Sequence, residues 1–165
     1  MANQIRIAMW SGPRNISTAM MRSFENRPDT VVEDEPFYAH YLLKTRVDHP
    51  LREQTIASQE HEWDIISERL TSDIPNGKTI WYQKHMAQHN LSGYDLEWTK
   101  KMVNCFLIRD PREVILSFQS KFDITSALQL GFLQQLELFN KLKDETGKIP
   151  PVINAKDVLT DTVET

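Results

Sequence analysis

The chain has 165 residues, 40% of them apolar and 25% charged, and nineteen basic against twenty-three acidic side chains give a formal charge of −4. These values fit one soluble domain with a real core, and they exclude a global field that would draw it to nucleic acid or an anionic membrane. No stretch reaches spanning length and the start, MANQIRIAMWSGPRNIS, lacks the layout of a secretory signal, so no membrane insertion, no nucleic-acid partner and a cytoplasmic location are expected.

The first predicted strand, Ile5 to Trp10, runs into Ser11-Gly12-Pro13-Arg14-Asn15-Ile16-Ser17-Thr18, and Ala19 to Phe24 then reads as helix. Strand, tight loop and helix N-terminus together make an anion site, because free backbone N–H groups and the positive end of the helix dipole converge on one point. Gly12 permits close backbone approach, and Arg14, Ser17 and Thr18 add charge and hydroxyl donors. The loop is not that of a nucleoside triphosphatase, since the G-x-x-x-x-G-K-[ST] pattern is missing. Alone, it reads equally well as a plain strand-to-helix turn.

A second strand is predicted over Thr30 to Asp34, followed by Glu35-Pro36. Tyr38, His40 and Tyr41 come next, either lining a pocket or packing a helix on the sheet. Ile56, Trp63, Ile66 and Leu70 fall at helical spacing and read as a core face. Pro75 and Gly77 mark a turn before a third strand, Thr79 to Gln83, which leads into Lys84 and His85. His85 and His89 stand four apart, but no Glu follows the first and no third ligand is evident, so no metal is expected there. The fourth strand, Met102 to Ile108, contains the single cysteine, Cys105, read as core.

Asp110 as N-cap and Pro111 at the first turn open a helix through Val114, Ile115 and Phe118. Leu128, Phe132, Leu136, Phe139 and Leu142 form a second helical stripe ending at Gly147. The last strand is predicted over Pro151 to Asn154. Asp161 and Glu164 have capping-box spacing, so a helix is expected to begin at Thr162 and then run out of chain, which suggests truncation at the C-terminus. Five strands alternating with helices predict a single α/β domain over residues 1–165, a three-layer sandwich around a mainly parallel five-stranded sheet.

The stretch Arg109-Asp110-Pro111-Arg112, an apolar run and Ser117 resembles the 3′-phosphate motif of sulfotransferases, and Pro13 to Thr18 is similar to that family's 5′-phosphosulfate loop. The segment after strand two and Ala155-Lys156-Asp157-Val158-Leu159 match the family as well. Read by itself, Arg109 is equally able to pair with Asp110 or Glu113. Departures are Arg14 where lysine is usual, Ile16 where glycine is common, and the absence of the family's C-terminal Gly-x-x-Gly-x-x-Lys/Arg loop, which puts affinity and activity in question.

The resemblance implies a P-loop NTPase-like, nucleotide-kinase-like topology. It also implies a PAPS-dependent sulfotransferase that moves a sulfuryl group from 3′-phosphoadenosine 5′-phosphosulfate to a hydroxyl or amine of a small acceptor without a metal. Residues Ser11 through Thr18, with Arg109 and Ser117, would hold the nucleotide, and Arg14 would stabilise the leaving phosphate. The base would be Glu35, as in carbohydrate sulfotransferases, or His85, as in the steroid and phenol branch, with Glu35 slightly ahead. Alternatives are a non-catalytic nucleotide- or phosphate-binding module of the same fold and a divergent nucleotide-kinase-like phosphotransferase. The acceptor and the oligomeric state cannot be read from the residues.

Overall fold

Short β-rich runs separated by amphipathic helices build a parallel sheet, because each crossover helix returns the chain to the same sheet edge. The computed structural model describes residues 4–160. Its strands are β1 (Ile5–Ser11), β2 (Thr30–Asp34), β3 (Ile80–Met86), β4 (Val103–Ile108) and β5 (Val152–Asn154). They lie in the order β2-β3-β1-β4-β5, and every pairing is parallel. This is the expected α/β sandwich with P-loop-like topology. The helices are α1 (Ser17–Glu25), α2 (Tyr38–Thr45), α3 (Arg52–Ser58), α4 (Trp63–Leu70), α5 (Pro111–Gln119), α6 (Phe132–Thr146) and α7 (Ala155–Thr160).

The side-chain alternation of the strands divides the core into two layers. On one face Ala8, Trp10, Trp81 and Phe106 pack against Trp63, Ile66 and Leu70 of α4 and Leu138 and Leu142 of α6. On the other, Met9, Tyr82 and Leu107 meet Met21 of α1 and Ala155 of α7, with Cys105 partly buried beside them. Cys105 therefore sits against core, where burial raises its thiol pKa,.

Three differences from the sequence expectations have local causes. β3 continues three residues past the predicted end, so Lys84 and His85 are strand residues on opposite faces rather than loop residues. The Ile56 to Leu70 stripe is two helices, separated where Gln59 turns to extended backbone. The Leu128 to Leu142 stripe is likewise broken, because Gly131 adopts a left-handed conformation between a 3-10 turn at Ala127–Leu130 and α6. Leu128 and Leu136 are accordingly exposed, although both were expected on a core face. The helix expected from Thr162 lies outside the described residues.

Gly131 earns its place by proximity as well as by its φ of 70°. A Cβ there would stand 2.9 Å from Gln88 Oε1 and 3.5 Å from the Cα of Gly12, and a Cβ on Gly12 would stand 2.7 Å from the carbonyl oxygen of Leu130. Two glycines thus let the turn before α6 press directly on the loop after β1. Replacing Gly12 by alanine forces backbone apart, and Gly12→Ala is expected to cost about 1–3 kcal/mol, seen as a Tm lower by roughly 3–10 °C in a thermal melt. An unchanged Tm would mean that the contact yields at no cost.

Candidate active site

The sheet order makes β1 and β4 neighbours, so the loops leaving their C-terminal ends share one edge, where open α/β sheets bind ligands,. Gln135 of α6, itself buried, fixes that edge: its Nε2 donates to the carbonyls of Trp10, at 3.3 Å, and of Leu107, at 2.9 Å. Both carbonyls lie near the C-terminal ends of their strands.

From the end of β1 the chain turns through Arg14 at φ 63° and Ile16 at φ 57°, both left-handed. For a β-branched residue such as Ile16 this conformation is strained by about 1–3 kcal/mol. Ser11, Gly12, Asn15 and Ser17 are buried, while Arg14 and Thr18 are exposed. Helix α1 begins with no side chain capping its N-terminus, which leaves its first N–H groups and the positive end of its dipole to an anion,.

Arg109 and Ser117 come to this loop. Arg109 Nη1 donates to the carbonyl oxygen of Arg14 at 3.0 Å, and Arg14 Nε donates to Ser117 Oγ at 2.9 Å. Arg109 also pairs with Glu113 at 2.8 Å, so the surface ion pair and the link to the loop coexist. Asp110 does not compete for Arg109, because it accepts the Arg112 N–H and caps α5. Beside Arg109 an apolar cleft of about 340 Å³ opens between α6 and β4–β5, walled by Phe106, Phe132, Phe139 and Val152, with Asn15 at its inner end.

The β2–β3 half of the edge carries opposite charge. Lys84, its side chain only 4% exposed, donates to Asp34 Oδ1 and Glu35 Oε1, each at 2.7 Å. Burial alone would lower the Lys84 pKa, but the Glu35 and Asp34 carboxylates outweigh it and the net direction is upward,. Glu35 stands at φ 48°, with its backbone N–H on the Lys84 carbonyl at 2.9 Å. Its side chain keeps 27% of its surface exposed.

His85 faces the other layer. Its ring stacks on Trp10 at 4.5 Å, its Nε2 lies 3.3 Å from Gln83 Oε1, and burial pushes its pKa down to about 3. His89 lies between the rings of Tyr38 and Tyr41, and His40 packs on Trp63 and Tyr94. These aromatic residues thus hold α2 and the loop after β3 together, the packing alternative that their spacing left open. Residues 11–18, 109 and 117 are brought together, and Glu35 lies across the edge from them with Lys84. Gln135 and the double ion pair of Lys84 went unnoticed in the sequence; a basic residue directly after Gln83, in register with Asp34 across β2 and one place from Glu35, was the available signal for the latter.

A parallel sheet with a strained, uncapped loop after β1 and an arginine-bearing loop after β4 at the same edge defines an α/β domain with a candidate anion site. The family model described as "Sulfotransferase domain" matches residues 5–161, and the chain belongs to that family. Two proteins of Arabidopsis thaliana are similar: "Branched-chain-amino-acid aminotransferase-like protein 1", 34% identical over 98% of this chain and 28% of its own length, and "Branched-chain-amino-acid aminotransferase-like protein 2", 32% identical over 94% and 27%. The chain thus spans little more than a quarter of these relatives. Shikimate kinase from Bacteroides thetaiotaomicron superposes with a TM-score of 0.46 at 10% identity, covering 92% of this chain and 86% of its own. No helix among the described residues is long and apolar enough to cross a membrane.

Lys84→Met removes the only cation in contact with Asp34 and Glu35 among the described residues. The expected loss at pH 7 lies between the about 0–1 kcal/mol of an exposed pair and the about 3–5 kcal/mol of a fully buried one. Because the folded-state pKa of Lys84 is raised, its contribution is complete below the ordinary lysine value of 10.5 and fades as pH rises through the folded value,. Urea midpoints of wild type and Lys84→Met should therefore converge above that pH, and parallel curves would contradict the ion-pair account.

Proposed function

We propose that this domain transfers a sulfuryl group from 3′-phosphoadenosine 5′-phosphosulfate to a hydroxyl or amine of a small acceptor. The observation that carries the reading is the convergence of Arg14, Arg109 and Ser117 at the N-terminus of α1. Membership of the sulfotransferase-domain family supports it.

In this reading the loop from Ser11 to Thr18 and the α1 N-terminus hold the 5′-phosphosulfate, and Arg109 with Ser117 holds the 3′-phosphate. Glu35 removes the acceptor proton. The acceptor oxygen or nitrogen forms a bond to sulfur as the bond from sulfur to the bridging oxygen breaks. The electron pair of that bond stays on the 5′-phosphate, where Arg14 and the helix N-terminus stabilise the added charge. Atoms and charge balance with no further reactant, and adenosine 3′,5′-bisphosphate leaves.

Burial favours Glu35 over His85 as the base. His85 is 2% exposed and its pKa is depressed to about 3, so it is a poor proton acceptor enclosed between aromatic rings. Glu35 reaches solvent and lies on the loop that leaves the edge. Lys84, held by two carboxylates, stays charged beside it and orients its carboxylate.

Calorimetric titration with adenosine 3′,5′-bisphosphate and with ATP tests the nucleotide. The bisphosphate should bind at least about tenfold more tightly, and Arg109→Ala should remove most of that preference by deleting a charge-assisted contact. Equal affinity for ATP would favour a phosphotransferase instead. Glu35→Gln should lower turnover of labelled phosphosulfate by about 10²-fold or more while the bisphosphate binds as before. Tight bisphosphate binding with no turnover in the wild type would leave a binding module.

A further inference from the structure

The loop after β1 carries a single cation, Arg14, and its side chain leaves the loop for the neighbouring helix. Arg14 stands at φ 63°, and its Nε donates to Ser117 Oγ of α5 at 2.9 Å. The backbone that aims it is held from the same side, since Arg109 Nη1 donates to the Arg14 carbonyl oxygen at 3.0 Å.

The hydrogen bonds around Ser117 leave donors, not acceptors, unused. Its oxygen accepts from Arg14, so its own hydroxyl proton remains to be donated,. Arg14 is exposed, and among the described residues its Nη1 and Nη2 have no hydrogen-bond or ion-pair partner. Arg109 engages Nε with Glu113 and Nη1 with Arg14, which leaves its Nη2 free on the same terms. The three nitrogens of a guanidinium share one rigid plane. Fixing Nε on Ser117 Oγ therefore places a terminal nitrogen of Arg14 within one hydrogen bond's reach of any anion that the Ser117 hydroxyl meets. A lysine gathers its donors on one ammonium, whereas the guanidinium spreads them over three nitrogens and can face two anions at once. Arg14 also precedes the first residue of α1, Ser17, by only three positions, so it belongs to the 5′ end as well.

We propose that Arg14 contacts both phosphate ends of the donor, and that with Ser117 it is a specificity-determining residue for the 3′-phosphate. The inference rests on the sulfuryl-transfer reading and extends it, because there Arg109 and Ser117 alone hold the 3′-phosphate. A nucleotide without that group then loses the contacts of two arginines rather than one. The favoured ligand class is a ribonucleotide with separate phosphates on its 3′ and 5′ oxygens.

Calorimetric titration of the full chain with adenosine 3′,5′-bisphosphate and with adenosine 5′-monophosphate reads the 3′-phosphate contribution as the ratio of two affinities. Wild type should favour the bisphosphate by about 10²-fold or more, the scale of two charge-assisted contacts. Arg14→Lys should lower that ratio about tenfold by weakening the bisphosphate, with the monophosphate within about threefold of wild type because the charge near the 5′ end is kept. Arg14→Met should weaken both nucleotides and still lower the ratio about tenfold, which decides the matter should the lysine variant not fold. Combining Arg14→Lys with Ser117→Ala should cost less than the product of the single effects, by about threefold or more, since the two side chains share one contact. An unchanged ratio in the Arg14 variants, equal weakening of both nucleotides, or single effects that simply multiply would overturn the inference. Failure of the wild type to prefer the bisphosphate sinks the sulfuryl-transfer reading itself, and Arg14's role with it.

Discussion

The bond from Arg109 to the carbonyl oxygen of Arg14 joins two segments 95 residues apart and makes them one site. A loop that places non-glycine residues at positive φ does not hold its shape on local preference, since each such residue costs about 1–3 kcal/mol. Here the loop is held from three directions. Arg109 takes its carbonyl, Ser117 takes the Arg14 guanidinium, and the turn before α6 presses on Gly12. The cationic groups are consequently placed before any ligand arrives, and pre-organised charge contributes more to binding an anion than charge that must first be gathered.

Charge is segregated along the same edge. The β1–β4 side offers Arg14, Arg109 and a bare helix N-terminus, whereas the β2–β3 side offers Asp34 and Glu35 around a buried lysine. Transfer between a polyanionic donor and a neutral acceptor needs both regions within one substrate's length, yet separate enough that the carboxylates do not repel the donor. Lys84 neutralises about one of the two carboxylate charges and holds Glu35 in place,; under the proposed transfer this leaves the acceptor side without a free cation.

The sheet was legible because parallel strands buried on both faces read as continuous apolar runs, and all five appear within a few residues of their expected bounds. The two loops that meet at the β1–β4 edge were legible because their residue types and order are local. What escaped were features set by tertiary contact. The extension of β3 past Gln83 through Lys84, His85 and Met86 was not legible, because Lys84 and His85 look polar enough to end a strand; it continues because Gln83 bonds the Leu70 carbonyl, Lys84 finds two carboxylates and His85 stacks on Trp10. Apolar periodicity ran smoothly across Gly131 and across the Gln59 break, since a helix interruption changes the direction of the chain without changing which residues are apolar,.

Ile16 shows how a departure from a family pattern is absorbed. At φ 57° the position favours glycine, which is what the family commonly carries there, yet the isoleucine side chain packs into the apolar layer with Met21 and Tyr82,. The backbone cost and the burial gain are of the same order, about 1–3 kcal/mol each, so the substitution is tolerated without moving the loop. The neighbouring constraints make that outcome possible: with Arg14 tied to Ser117 and its carbonyl tied to Arg109, the backbone at Ile16 has little freedom to relax toward a more comfortable angle. The strain is thus retained where a phosphate would bind, and the N–H groups that follow it in α1 remain directed outward rather than folding into a capped helix end,.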